Sequence, residues 1–105
     1  MSEFLVNFKK LNWEGAYSGQ RQKSFTRGNQ RLRLVELIDE YSEDEWCEKE
    51  HIGYVLNGRI TIDFKGKSLI FNEGDGIFIP EGKENRHMGK MSKGEKVLIL
   101  FFEKV

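Results

Sequence analysis

The second half of the chain is organised by a frame of residues that end strands. Gly58 is followed, after fifteen intervening residues, by Gly74, Asp75, Pro80 and Gly82. Short apolar runs lie between them, such as residues 54–56 and 77–79. Glycine supplies the positive φ that tight turns and bulges need, and proline lacks the N–H that a central strand must donate. The frame therefore divides this half into short strands.

Strand signals recur on either side of it, over residues 22–26, 31–38, 51–57, 59–64, 68–71, 77–79 and 97–102. The period-two alternation of Ile60-Thr61-Ile62-Asp63-Phe64 is clear, and Lys65-Gly66-Lys67 closes a hairpin after it. Arg27-Gly28-Asn29-Gln30 reads as a second hairpin turn, because Gly and Asn tolerate positive φ. Residues 4–8 are read as a short edge strand, and the acidic stretch 39–49 as a solvated loop. No segment keeps helical periodicity, so the expected architecture is all-β, an antiparallel sandwich or barrel. Residues 97–102 are apolar on both strand faces, so each face needs cover from the opposing sheet or from a second subunit, which points to a homodimer. Trp46, Tyr54, Phe64 and Phe78 are read as barrel filling.

At 105 residues the expectation is one domain over residues 1–105, with N-terminal strands and a polar loop in 1–30 and the core in 39–102. Seventeen Lys and Arg cancel seventeen Asp and Glu, so no global field favours nucleic acid or an anionic membrane. The longest apolar run is too short to span a bilayer, and the single Cys47 has no internal disulfide partner. A soluble, cytoplasmic protein is the resulting expectation.

The frame resembles the cupin superfamily of jelly-roll barrels, also described as double-stranded β-helices. Its first motif places two histidines one residue apart, then a glutamate, then a glycine. Its second runs glycine, five residues, proline, one residue, glycine, two residues, histidine. Gly58 fits the closing glycine of the first, and Gly74, Pro80 and Gly82 fit the second. The resemblance covers about residues 39–102. The ligand places are filled differently: His51 stands at the glutamate position, and the histidine positions fall on Glu45 and Cys47 or on Asp44 and Trp46, depending on the gap. The second motif's histidine position is Asn85, with His87 two residues later.

What the resemblance implies is a pocket around these substituted places. Cys47, His51 and His87, with Glu45 or water as fourth partner, form a candidate divalent-metal set; zinc suits it best, and iron, nickel, copper or manganese remain open. Strand parity puts Cys47 and Lys49 on the same face as His51. The same residues allow a metal-free enzyme in which His51 and His87 act as general acid and base on a small or sugar-like substrate, in the manner of isomerase or dehydratase relatives. Cys47 would be a nucleophile there if Lys49 lowered its pKa. A non-enzymatic binding or sensor module and a structural interaction protein are the other two classes. Arg31 and Arg33 alternate with Leu32 and Leu34 and share a face; solvent is the ordinary destination, whereas a place in the pocket would suit a carboxylate or phosphate ligand.

Overall fold

The computed structural model describes residues 4–105, without the side chains of Ala16 and Tyr17. Eight strands follow one another: β1 Glu14–Tyr17, β2 Gln20–Arg27, β3 Gln30–Ile38, β4 His51–Phe64, β5 Lys67–Asn72, β6 Gly76–Ile79, β7 His87–Lys90 and β8 Lys96–Lys104. All pair antiparallel. They form the all-β jelly roll that the frame predicts. In one sheet the order is β1-β2-β3-β8-β4, with β6 on the far side of β4. In the facing sheet the second half of β4 lies between β5 and β7.

Strand β4 thus belongs to both sheets. Residues 52–58 pair with β8, and residues 59–64 pair with β5. The passage is made at a bulge between Val55 and Asn57, followed by Gly58 at φ +76°. Here glycine is required twice over, because a Cβ at Gly58 would lie 1.9 Å from the Lys96 carbonyl oxygen. The sequence reading of two separate strands, 51–57 and 59–64, is corrected by this corner: the ladder continues through Asn57 and Gly58 with no turn. Gly28 at φ +61° does close a hairpin between β2 and β3.

The core consists of Val35, Leu37, Tyr41, Val55, Ile60, Ile62, Ile77, Ile79, Val97 and Ile99. β-Branched aliphatics dominate it, as the pleated inner surface of a small barrel favours. The expected aromatic filling is largely absent. Phe64 packs against the core, but Trp46, Tyr54 and Phe78 are exposed. Parity explains this: Val55, Ile77 and Ile79 point inward, so Tyr54 and Phe78 point out.

Residues 5–7 form no strand, contrary to the reading of 4–8, and Phe8–Lys10 make a 3-10 turn capped by the Asn7 side chain. This segment is held by β2: Lys23 donates to the Phe8 carbonyl at 2.8 Å, and Arg21 and Lys23 lie over the Trp13 ring. Strands β1 and β7 fall outside the sequence reading, both only four residues long.

Candidate metal centre and cavity

Between the sheets lies a cavity of about 800 Å³, within the range of small-molecule sites. Its depth is lined by Val35, Leu37, Ile60, Ile62, Ile77 and Ile99, and its rim by the exposed Lys49, Glu50, Glu81 and Lys104. Near the rim it is lined by Cys47, His51 and His87, whose donor atoms all lie within 4.8 Å of one another.

Each of the three is placed by backbone pairing. His51 opens β4, opposite Ile79 of β6. His87 opens β7 and stands opposite Phe64 at the far end of β4. Cys47 lies outside the named strands but exchanges both backbone hydrogen bonds with His87, at 2.8 and 3.0 Å. The segment before β4 is thereby fixed to the start of β7 at the site.

The imidazoles have defined surroundings. His87 Nδ1 lies 3.0 Å from the Asn85 carbonyl oxygen, an acceptor only, so Nδ1 carries the proton and donates it there. His87 Nε2, the lone-pair nitrogen in the neutral form of that ring, is buried and without a hydrogen-bond partner. His51 Nε2 is 3.6 Å from Cys47 Sγ, and its Nδ1 is also buried and unpartnered. The His51 and His87 rings meet edge to face with centroids 4.9 Å apart. Burial first, then the charges of His87 and Arg33, lowers the His51 pKa from 6.5 to about 4. His51 is therefore neutral at pH 7.

This donor set suits a metal ion. The buried His87 Nε2 without a partner is costly unless something occupies the space beside it. Thiolate and imidazole bound tetrahedrally at zinc distances stand about 3.6 Å apart, which is the Cys47–His51 separation. The sequence-predicted residues Cys47, His51 and His87 are all brought together, and Lys49 lines the cavity as parity requires. Glu45 is not brought in: it is exposed and does not line the cavity. Glu43 lines it instead, its Oε1 accepting from the Gly89 N–H at 2.8 Å. Asn85, at the histidine place of the second motif, contributes its carbonyl rather than its side chain.

A second polar group lines the same cavity. Arg33 donates from Nε and Nη2 to the two oxygens of Glu103, at 2.9 and 2.7 Å, and Arg31 donates from Nε to Glu103 at 2.8 Å. Burial pushes the Glu103 carboxyl up, but hydrogen bonds and charge from Arg33 and then Arg31 outweigh it and hold it below its usual range. Glu103 was missed in the sequence because the last strand was ended at Phe102. Its signal was parity with Val97, Ile99 and Phe101 on β8.

Comparison with solved structures supports the same architecture. The polyketide cyclase RemF from Streptomyces resistomycificus superposes with a TM-score of 0.79 at 20% identity, over 95% of this chain and 78% of that one. KdgF from Halomonas sp. gives 0.74 at 18% identity, over 100% and 96%. The EutQ protein of Clostridium difficile gives 0.65 at 18% identity, over 81% and 67%. At such identities the likeness is one of fold. No curated protein matches the sequence. Residues 25–104 match the family model of the EutQ-like cupin domain, and with the frame, the two facing sheets and the rim cluster in place, the chain belongs to that cupin family.

Proposed function

We propose that this cupin binds a divalent metal ion, zinc foremost, through Cys47, His51 and His87, and holds a small molecule beside it in the cavity. The observation that carries the reading is the buried, unpartnered His87 Nε2 beside His51 and the free Cys47 thiol, with one donor atom from each of the three within 4.8 Å of the others. Asn85 orients His87 by accepting from Nδ1, in the way a metal-binding histidine is usually held. The low pKa of His51 keeps its lone pair available at neutral pH. Iron, nickel and copper share the preference for thiolate and imidazole, whereas manganese favours oxygen donors. With Glu45 outside the cavity, the three donors leave a position open, the pattern of a centre that meets a ligand. A bound ion would supply Lewis acidity toward an oxygen of that ligand.

Metal-free acid–base chemistry by His51 and His87 is the second reading, favoured by their meeting at one rim. Against it, a base of pKa about 4 has little driving force to take a proton at pH 7. Reaction class stays open between isomerase-like or dehydratase-like turnover and ligand binding without turnover. The same reading treats all 105 residues as one domain in a reducing, cytoplasmic setting, where Cys47 remains a thiol. It also includes a homodimer through the outer sheet face. Among the described residues no helix is long and apolar enough to cross a membrane.

Metal analysis of protein purified without a histidine tag tests the central claim. Wild type is expected to carry near-stoichiometric metal, and Cys47→Ala and His51→Ala each to lose most of it. Wild type that arrives metal-free and takes up no zinc, iron, nickel or manganese would sink the metal reading.

A further inference from the structure

The strands that carry the donor cluster also carry a cationic wall beside it. On β3, Arg31 and Arg33 stand opposite Glu103 and Phe101 of β8, and on β4 Gly53 stands opposite Phe101 in turn. The Phe101 ring links the two groups. The Arg33 guanidinium lies 5.2 Å from its centroid, and the His51 ring lies 5.4 Å from the same centroid. One small molecule lying over Phe101 can therefore touch both the arginines and the donor cluster.

The wall has positive charge and N–H groups to spare. Two guanidinium groups share the single carboxylate of Glu103. Arg33 uses three of its five N–H bonds, two on Glu103 and one on Gln22, and Arg31 uses only Nε–H among the described residues. The unused N–H groups of Arg31 are not sealed off, because neither of its Nη atoms is buried without a partner and its side chain is 34% exposed. They are open to the cavity that both arginines line, or to the solvent that fills it. Over the whole lining the charges balance, Arg31, Arg33, Lys49 and Lys104 against Glu43, Glu50, Glu81 and Glu103, so the surplus is local to the wall, where two guanidinium groups meet one carboxylate. Glu103 holds both guanidinium planes in fixed positions, so little ordering is needed when an oxyanion arrives.

We infer that the cavity ligand is a small organic anion whose carboxylate or phosphate sits on Arg31 and Arg33, with its carbon body over Phe101 and its other end toward Cys47, His51 and His87. The inference rests on reading the cavity as a small-molecule site, and it does not require the metal.

Benzoate, phenyl phosphate and the neutral isostere benzamide test it, each titrated into metal-free and zinc-treated wild type by calorimetry, with zinc content measured on the same samples. Benzoate or phenyl phosphate is expected to bind at least about tenfold more tightly than benzamide, and whichever is preferred identifies the oxyanion. Arg31→Gln, at the more exposed arginine, should abolish that preference. Equal binding of benzamide or an unchanged preference in Arg31→Gln would each overturn the inference. Zinc uptake without anion preference refutes this inference and leaves the metal reading standing. Anion preference in protein that takes up no zinc does the reverse.

Discussion

The two faces of β8 carry similar apolar residues and have opposite fates. Inward, Val97 and Ile99 are buried in the core, and Phe101 and Glu103 continue the same row out to the donor cluster and the arginines. Outward, Leu98, Leu100 and Phe102 stay partly or largely accessible. Phe102 lies in a row with Phe25, Leu32, Ile52 and Phe78 across five neighbouring strands, and Phe78 is 73% exposed. Residue type alone does not separate the faces, because both are apolar. Cover does: the facing sheet covers one, whereas the other meets Trp13 and the Phe8 carbonyl at its β2 side and leaves Phe78 and Phe102 exposed. The inner face adds a gradient of its own, from dry aliphatic depth to charged rim, so that the middles of strands supply stability and their ends supply chemistry.

The hardest test of this contrast is Ile99→Ala on the inner face. Truncation in a packed core is expected to cost about 3–4 kcal/mol in chemical denaturation, while protein that remains folded keeps its metal stoichiometry. Loss of metal in step with stability would mean that depth and rim are one unit. The next effect in size is on the rim itself. In metal-free protein the folded-state pKa of His51 lies below its unfolded value, so the folded state takes up fewer protons there. The stability this gives is complete above pH 6.5 and is lost as pH falls toward 4, by about 1.4 kcal/mol per pH unit and about 3 kcal/mol in all. Urea titrations of wild type and His51→Gln at pH 7 and pH 4.5 measure it; parallel losses in the two proteins would place the pH sensitivity elsewhere. The smallest effect on stability is expected outside. Phe102→Lys should change the stability of the folded chain by less than about 1 kcal/mol, yet convert a dimer to a monomer in light scattering. A wild type that is already monomeric at high concentration would leave the outer face without the partner proposed for it.

How much of this was legible in the sequence depends on whether a residue acts through backbone conformation or through long-range pairing. Gly58 and Gly28 were readable because positive φ restricts residue choice strongly. The places of Cys47, His51 and His87 were readable from spacing relative to that frame. Which way Tyr54 and Phe78 point was not read correctly, although the adjacent Val55 and Ile77 held the answer in their parity. The closure of Cys47 onto His87 had no local signal at all. It is a two-residue pairing between segments forty positions apart in sequence, made by loops whose composition is merely polar. Glu45 looked suitable because, at the shorter gap, it falls on a histidine position of the first motif, but the irregular backbone of that loop brings Glu43 inward in its place.

The corner in β4 sets the aperture of the barrel in the way a pivot sets the jaws of a caliper. His51 begins one arm and Phe64 ends the other, and both stand against His87, with ring centroids 4.9 and 6.1 Å away. Each arm is roughly 20 Å long at about 3.3 Å per residue, so a change of about 5° at Gly58 displaces a tip by nearly 2 Å. Metal distances tolerate only about 0.2 Å. A glycine with no chemistry of its own, at the closed end of the molecule, therefore governs whether donors at the open end can act together.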